Sequence, residues 1–328
     1  MAFKLLVVIG ATGNQGGSVV ETFLKEPGWT IRGLTRNVNS DAAQTLKERG
    51  VEMVTANLDD ISSLRAAFQG AHTIFSVLDF WTGYRNPANR SMLAPGQTMM
   101  EWAHDYEMQQ GKNVFAAAAQ VDGLERLIFS ALPYATKWSG GKYTHVYHFD
   151  SEARAVEYAR AQYPDLVKKT SLIQIGMYLS NMLLMPHYQP KKNEDGVYIF
   201  STKIARDRKL PLIAPREDTG PLTKALVSVD PGQHLLAYRE WLTLTEFSEV
   251  WGRVLGVKSK YLSFAADKKW EGLPDDLQLD IEEGAAYLNE FGFDGGDPTI
   301  VHPKNLEVPI HLDSVEDWIR KQDWSKVL

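Results

Sequence analysis

Cysteine is absent from this chain of 328 residues. Its absence excludes disulfide bonds, a cysteine nucleophile and metal sites built from thiolates. A long apolar segment is also absent, because the longest one, residues 171–185, contains Gln174, Ser180 and Asn181 and is too short to span a bilayer. The apolar residues 3–9 lead directly into a glycine-rich turn, which is not the pattern of a signal peptide. We therefore expect a cytoplasmic protein without a membrane-binding segment.

An excess of basic residues is missing as well. The 35 Lys and Arg are outnumbered by 41 Asp and Glu, which gives a formal net charge of −6. Binding to nucleic acid phosphates favours the opposite balance, so we expect no direct contact with nucleic acid. His145 and His148 are three residues apart, but no further ligands complete a recognisable metal site, and no bound metal is predicted.

The most informative stretch is a turn with the spacing G-x-x-G-x-x-G. An apolar strand pattern, residues 3–9, precedes it, and a helical pattern, residues 17–25, follows it. Strand, glycine turn and helix together bind the pyrophosphate of a dinucleotide, because the first N–H groups of a helix are unpaired and carry a partial positive charge. The glycines provide the tight turn, the approach of the phosphates and the packing of the helix on the strand. The predicted phosphate-binding residues are Gly10, Thr12, Gly13, Asn14, Gln15 and Gly16.

The end of the second strand indicates which dinucleotide is bound. The strand pattern at residues 29–35 is followed by Arg36 and Asn37, with no carboxylate. An acidic residue about 20 positions after the glycine turn binds the ribose 2′-hydroxyl of NAD, whereas an arginine accommodates the 2′-phosphate of NADP. We therefore predict NADP(H) as the cofactor. The alternative is that Arg36 is a solvated loop charge.

Strands and helices alternate along the first half of the chain. Further apolar strand patterns lie at residues 51–55, 72–77, 125–130 and 170–176. This alternation predicts an α/β fold, a Rossmann-type doubly wound parallel sheet with right-handed crossovers. We assign this NADP(H)-binding domain to residues 1–180. Residues 181–328 are expected to form a smaller, mixed α/β part on the substrate side, with some elements returning to the sheet.

Residues at the carboxyl ends of the strands should line one crevice that also holds a small-molecule substrate, since ligands bind at that edge of a parallel sheet. Asp59 is expected to accept a hydrogen bond from the adenine amine, although Asp59 and Asp60 also fit as caps of the next helix. Residues 81–95 are predicted to form an irregular loop that lies over the crevice as a lid. Besides Asp59, the predicted crevice residues are Leu58, Leu78, Asp79, Phe80, Ser130, Tyr178 and Asn181.

Several stretches match the motifs of a known family: residues 10–19, 35–37, 56–60, 148–150 and 156–158, together with Tyr178 and Asn181. In these motifs the chain resembles the NmrA-like family, a branch of the atypical short-chain dehydrogenase/reductase superfamily. The resemblance covers nearly the whole chain and extends to NADPH-sensing members and to fungal oxidoreductases. It implies a Rossmann domain, bound NADP(H) and a monomer or homodimer. It also implies either reductase activity on a small molecule or sensing of the NADP(H) pool.

One position departs from the pattern of this superfamily. Its enzymes use a Tyr-x-x-x-Lys pair, in which the lysine holds the ribose and lowers the tyrosine pKa. Aligned on the motif at residues 148–150, His148 stands at the tyrosine position and Glu152 at the lysine position. A carboxylate cannot replace an ammonium group in either role, so any proton donor here has to differ from the usual one.

The first hypothesis is therefore a reductase with an unusual proton donor. Hydride from NADPH would reduce a carbonyl, imine or activated alkene, and His148, Tyr143 or Tyr147 would supply the proton. A helix is predicted over residues 151–163, directly after the motif at residues 148–150. Imidazole titrates near neutral pH without help from a lysine, and Glu152, one helical turn away, would orient the ring. The alternative for His148 and Glu152 is a hydrogen bond at the helix start without chemistry. Aromatic residues near the crevice indicate an apolar or aromatic substrate, unless they are core: Phe80, Trp81, Tyr84, Trp138, Tyr143, Tyr147 and Tyr178.

The second hypothesis is a non-catalytic redox sensor, which the missing lysine favours. NADP(H) binding would order residues 81–95 and shift dimerisation or the binding of a regulatory protein partner. A third class, an isomerase or cyclase that uses the nucleotide structurally, has no direct support in the sequence. The aromatic residues of the crevice favour the reductase over the sensor.

Overall fold

Parallel strands form the centre of the protein in the computed structural model, which describes residues 3–264 and 272–328. In chain order the strands are β1 (Lys4–Ile9), β2 (Trp29–Thr35), β3 (Glu52–Thr55), β4 (Thr73–Ser76), β5 (Arg126–Ala131), β6 (Thr170–Ile175), β7 (Met177–Tyr178), β8 (Lys191–Lys192), β9 (Tyr198–Thr202), β10 (Lys209–Ile213), β11 (His234–Ala237), β12 (Glu240–Thr243), β13 (Ser259–Ser263) and β14 (Ile300–Val301). Eight of these described strands form one sheet in the order β14-β11-β6-β5-β4-β1-β2-β3. Every neighbouring pair in this sheet is parallel.

Helices connect the strands. In chain order they are α1 (Asn14–Phe23), α2 (Asp41–Glu48), α3 (Ile61–Phe68), α4 (Phe80–Arg85), α5 (Met99–Ala118), α6 (Ala135–Trp138), α7 (Tyr147–Gln162), α8 (Pro164–Val167), α9 (Asn181–Leu184), α10 (Pro215–Ser228), α11 (Leu244–Leu255), α12 (Asp275–Phe291) and α13 (Val315–Lys321). Short 3₁₀ turns occupy Pro87–Met92 and Pro303–Asn305. Within the described ranges, none of the helices is long and apolar enough to cross a membrane.

Strand β1 illustrates why both faces of the sheet are covered. Successive side chains point to opposite faces, so Leu6 and Val8 pack with α1 and α10, whereas Val7 and Ile9 pack with α5 and α7. Leu6, Val7 and Val8 are fully buried. A strand that is apolar on both faces is typical of a parallel sheet between two helical layers. The predicted Rossmann-type α/β fold is confirmed.

The second half of the chain extends this sheet and also builds beside it. Strand β11 pairs with β6, β14 pairs with β11, and α10 packs along α1. Among the described residues, the other strands form two small sheets, ordered β12-β10-β7 and β13-β9-β8. An apolar cluster that contains Phe200, Phe247 and Trp251 lies in this region. The predicted mixed α/β part is confirmed, while the boundary at residue 180 stays a prediction.

The stretch predicted as an irregular loop begins with a helix. Asp79 is the N-cap of α4, and its Oδ1 accepts a hydrogen bond of 3.0 Å from the N–H of Thr82. Phe80 is buried in a cluster with Met100 and Trp102 of α5. The loop prediction is wrong for α4 and for the following 3₁₀ turn, because burial of apolar side chains against α5 stabilises a helix that the Gly, Asn and Pro content does not indicate.

Candidate functional site

The glycine turn places the start of α1 at the carboxyl edge of the sheet. Gly10 adopts a positive φ of 69°, and its carbonyl accepts a hydrogen bond of 2.8 Å from the N–H of Gly13. Gly13 is the N-cap of α1, and no side chain caps the helix. The first N–H groups of α1, from Asn14 onward, therefore lack the usual capping partner and are available to an anion.

Gly16 determines how closely α1 approaches β1. A Cβ atom at this position would lie 2.2 Å from the carbonyl oxygen of Gly10, a distance that no real Cβ atom tolerates. The role predicted for this glycine in helix–strand packing therefore has a direct geometric basis. Arg216, at the start of α10, adds a contact that the sequence did not reveal, since its Nη1 donates to the carbonyl of Gly13 at 3.0 Å. No local motif marks Arg216, which lies 203 positions away in the chain.

Arg36 lies at the carboxyl end of β2 with its side chain exposed. Among the residues that the structure describes, it forms no hydrogen bond and no ion pair. It lies near Tyr106, whose pKa is raised to about 12 by burial, and the positive charge of Arg36 opposes this rise. Asn37 is engaged locally, because its Oδ1 accepts a hydrogen bond of 2.9 Å from the N–H of Asn39. A guanidinium group without a partner at this position is available to a phosphate.

Asp59 is held by two side chains of α5. The hydroxyl of Tyr106 donates to Oδ2 at 2.7 Å, and Nε2 of Gln110 donates to Oδ1 at 2.8 Å. The cap of α3 is Asp60, whose Oδ1 accepts a hydrogen bond of 2.9 Å from the N–H of Ser62. The capping role thus falls to Asp60, and the adenine contact of Asp59 stays a prediction. The carbonyl of the neighbouring Leu58 accepts from Asn113, also of α5, at 2.8 Å.

The structure brings two predicted residues from distant segments together. Nε2 of Gln15, in the first turn of α1, donates to the hydroxyl of Tyr178 in β7 at 2.8 Å. Oε1 of Gln15 is buried and has no hydrogen-bond partner among the described residues. Burial raises the pKa of Tyr178 to about 12, so its hydroxyl keeps its proton at neutral pH. The other residues predicted at the strand ends are buried Leu78 and Ser130, and half-buried Asn181 at the start of α9.

A buried pair of carboxyl groups lies next to this contact. Glu152 of α7 is a close electrostatic neighbour of Glu107 of α5 and of Tyr178. The hydroxyl of Ser151 donates to Oε2 of Glu107 at 2.5 Å, and the backbone N–H of Leu132, just after β5, lies near Glu152. Oε2 of Glu152 is buried without a partner among the described residues.

Burial dominates the electrostatics of this pair. It raises the pKa of Glu107 to about 8 and the pKa of Glu152 well above its usual range, with the charge of Glu107 as a further cause. Sequence reasoning missed Glu107. The available signal was its place on the apolar face of α5, where Ala103, Gly111 and Val114 are buried. A glutamate is almost never fully buried unless its carboxyl group is paired, so a glutamate on such a face indicates a partner.

The predicted contact between His148 and Glu152 is wrong. Nδ1 of His148 lies 2.8 Å from the nearer carboxylate oxygen of Asp280 in α12, and its ring packs on Trp81 with 5.2 Å between ring centroids. Helix α7 starts four residues earlier than predicted, at Tyr147, because Asp280 accepts the Tyr147 N–H at 2.7 Å. His148 therefore faces α4 and α12, whereas Glu152, one turn further along, faces α5.

The two predicted tyrosine donors also contact α12 or lie beside it. The hydroxyl of Tyr143 donates to Glu290 at 2.7 Å. Burial raises the pKa of Tyr147 to about 12, and its ring lies between those of His104 and His145. Neither tyrosine forms a hydrogen bond with Gln15, Tyr178 or the carboxyl pair in the described part of the chain. Their roles as proton donors stay predictions.

A comparison with known families identifies the chain. The sequence pattern of the NmrA-like family matches residues 3–325. The chain belongs to the NmrA-like family.

Two fungal relatives are named as NmrA-like family domain-containing oxidoreductases. The protein hkm9 of Aspergillus hancockii is 32% identical over 181 residues, which cover 55% of this chain and 48% of hkm9. The protein malD of Malbranchea aurantiaca is 23% identical over 350 aligned positions, which cover 99% of this chain and 98% of malD. The match thus spans about half the length of the first relative and almost all of the second.

Solved structures of two proteins share this NmrA-like fold. NmrA, a negative transcriptional regulator solved with NAD, is 18% identical with a TM-score of 0.76, over 100% of this chain and 97% of its own. QOR2 of Escherichia coli, an NADPH-dependent quinone oxidoreductase solved with NADPH, is 20% identical with a TM-score of 0.67, over 96% and 98%. At these identities the likeness shows a common fold only.

The close contact at Gly16 predicts the effect of one methyl group. Gly16→Ala should lower the free energy of unfolding of this NmrA-like protein by about 1–3 kcal/mol, because α1 has to move away from the Gly10 carbonyl. Denaturant unfolding measures the change. Gly284→Ala in α12 is the control, because its Cβ would meet only Val146, at an ordinary 3.7 Å. Equal losses in both variants would contradict the account.

The raised pKa of Glu107 predicts how stability depends on pH. The unfolded chain releases the proton of Glu107 near the ordinary glutamate pKa of 4.5, whereas the folded protein keeps it up to about pH 8. The free energy of unfolding therefore falls as the pH rises between these two values. Glu107→Gln should remove part of this fall and stabilise the protein at pH 8 relative to wild type, by about 1 kcal/mol or more. Thermal unfolding at pH 5 and pH 8 measures the difference. The exposed Glu194→Gln is the control, and an unchanged pH slope in Glu107→Gln contradicts the prediction.

Proposed function

We propose that this NmrA-like protein is an NADP(H)-dependent reductase of a small molecule. The observation that carries the proposal is Arg36, an exposed guanidinium group without a partner in the described structure, at the carboxyl end of β2. An arginine at the end of the second strand accommodates the 2′-phosphate that distinguishes NADP from NAD. The glycine turn from Gly10 to Gly16 supports the same proposal through the uncapped start of α1.

The chain's own groups fit a dinucleotide along the carboxyl edge. The first N–H groups of α1 would hold the pyrophosphate, and Arg36 would bind the 2′-phosphate. Gln15 and Tyr178 bridge α1 and β7 beside the expected nicotinamide end, and Oε1 of Gln15 has no partner among the described residues. We also propose contacts from residues at or just after the ends of strands β1, β2, β4, β5 and β7, namely Thr12, Asn14, Asn37, Asp79, Phe80, Ser130 and Asn181.

When bound, NADPH supplies a hydride for the reduction of a carbonyl, imine or activated alkene. The surrounding side chains favour an apolar or aromatic substrate. Half-buried Trp81 and Tyr84 pack on the buried Phe80, with 5.2 Å between the ring centroids of Phe80 and Trp81. His148 joins this cluster through Trp81, and its bond to Asp280 orients its ring. Aromatic faces of this kind bind flat apolar molecules by stacking.

The names of several relatives support the proposal of a reductase. The fungal relatives hkm9 and malD are called oxidoreductases, and QOR2 is called an NADPH-dependent quinone oxidoreductase. Their substrates are not transferred to this protein. From these names we infer only the reaction class, reduction with a nicotinamide cofactor.

The second candidate is a non-catalytic NADP(H) sensor that controls a regulatory protein partner. Glu152 favours it, since a carboxyl group stands where the superfamily places the lysine of its catalytic pair. Stoichiometric NADPH binding without turnover of any carbonyl, imine, quinone or activated alkene would support the sensor. NADPH oxidation that depends on such a substrate supports the reductase.

Arg36→Ala tests the cofactor. A charge-assisted hydrogen bond contributes about 2 kcal/mol, so the variant should bind NADP⁺ roughly thirtyfold more weakly and NAD⁺ almost unchanged. Titration calorimetry with both nucleotides measures the change, and thermal shifts check it, since a ligand at 100 times its Kd stabilises by about 2.7 kcal/mol.

The control is Arg65→Ala, which removes an exposed arginine from the last turn of α3. It should leave both affinities unchanged. An Arg36→Ala variant that loses affinity for NADP⁺ and NAD⁺ equally, or for neither, contradicts the proposed role of Arg36. Wild-type protein that binds none of the nucleotides contradicts the proposed function as a whole.

A further inference from the structure

The carboxyl pair formed by Glu107 and Glu152 has no neutralising partner. In residues 3–264 and 272–328, neither group forms an ion pair with a lysine, arginine or histidine, and both side chains are at least nine-tenths buried. Their hydrogen bonds come only from neutral donors. The hydroxyl of Ser151 donates to Glu107, and the neutral backbone N–H groups of Phe80 and Leu132 lie near Glu107 and Glu152, respectively.

The charged and titratable groups that face the pair are acidic or neutral. Asp79, at the start of α4, acts on both carboxyl groups, and Tyr178 of β7 lies near Glu152. Two buried carboxylates in such surroundings cannot both ionise at neutral pH, because each charge would destabilise the other without water to screen it. At least one proton therefore stays on the pair.

The location of the pair indicates a function for this proton. Leu132 directly follows β5, and Tyr178 is held by Gln15 of the glycine turn, so Glu152 lies at the carboxyl edge between the ends of β5 and β7. Its Oε2 is buried and has no partner in the described structure. The carboxyl group at the lysine position of the superfamily pair thus has one oxygen that can carry a proton or form a hydrogen bond with a substrate.

We propose that Glu107 and Glu152 share a retained proton and that Glu152 donates it to the substrate during reduction. The proposal rests on the proposed function and names the proton donor of that reaction. In it Glu152 is the catalytic residue, and Glu107 is a positioning residue that keeps the proton on Glu152.

The step balances for a carbonyl or imine substrate. Bound NADPH would supply the hydride that adds to the carbon of the double bond and would leave as NADP⁺, while the electron pair of that bond would move onto oxygen or nitrogen. A new O–H or N–H bond forms there as the O–H bond of Glu152 breaks, which leaves Glu152 as a carboxylate. Solvent protons restore the acid before the next turnover, through Glu107 and Ser151.

The retained proton is measured without substrate. Protein labelled with ¹³C at the glutamate carboxyl carbon is titrated by NMR, with and without NADP⁺. We expect a resonance that titrates at least about two pH units above exposed glutamates in wild type and disappears in Glu152→Gln. In Glu107→Gln the Glu152 resonance should remain but titrate at lower pH, because the neighbouring negative charge is gone. Glu107 and Glu152 resonances that both titrate in the ordinary glutamate range overturn the proposal.

The donor role is measured by NADPH oxidation against a carbonyl and imine panel. Glu152→Gln should lower kcat by about 10²- to 10⁴-fold while the Kd of NADP⁺ stays within about threefold. Glu107→Gln should retain turnover at low pH but lose it at lower pH than wild type, because the donor has to be protonated. The shape of the side chain at position 107 is conserved in this variant, since the Gln carbonyl still accepts from Ser151. Glu194→Gln is the control and should match wild type in both assays.

The outcomes separate this proposal from the proposed function. A Glu152→Gln variant with the kcat of wild type overturns the donor role while the reductase stands. Wild type that binds NADPH but reduces nothing in the panel overturns the reductase and the donor role together, and the NMR titration still decides whether the pair holds a proton. Wild type that does not bind NADPH contradicts the cofactor assignment, which the Arg36→Ala titration tests independently.

Discussion

The close approach of helix α1 to strand β1 is the constraint on which the rest of the site depends. Only a residue without a Cβ atom fits at Gly16, because the carbonyl oxygen of Gly10 already occupies that space. This contact places the uncapped start of α1 at the carboxyl edge and holds Gln15 within hydrogen-bond distance of Tyr178. A second close contact joins α1 to α10, where the N–H of Gly220 donates to the hydroxyl of Ser18 at 2.8 Å. The proposed phosphate end and nicotinamide end of the site are thereby joined through α1.

The acidic helix α12 contacts the start of α7 and the two histidines beside it. Asp280 accepts the N–H of Tyr147, and Glu283 accepts the N–H of His145, so carboxylates from α12 cap the start of α7 across more than 130 positions of sequence. The same carboxylates bind the rings of His145 and His148. This arrangement turns His148 away from Glu152 and leaves Glu152 to face Glu107. Contacts from α12 to the start of α7 therefore direct His148 to one side of α7 and leave Glu152 on the side of Glu107.

The features that could be predicted from the sequence are those encoded over short distances. The alternation of strands and helices, the glycine turn and Arg36 each depend on neighbouring residues, and the fold and family are confirmed. Where the prediction failed, the deciding contact was remote. The cap of α7 comes from Asp280, so the local pattern placed the helix start at Ser151 and paired His148 with Glu152. Glu107 gave a weak signal, a carboxylate on an apolar helix face, and its partner belongs to another helix. Arg216 contacts the turn from the far half of the chain and left no signal.

The measurement that tests this account most directly is a crystal structure of the protein with NADP⁺. We predict that the pyrophosphate lies against the first turn of α1, that the 2′-phosphate contacts the guanidinium group of Arg36, and that the nicotinamide ring lies on the side of Tyr178 and Glu152. A complex in which the adenosine end lies away from Arg36, or in which the nucleotide binds outside the carboxyl edge of the sheet, would contradict it.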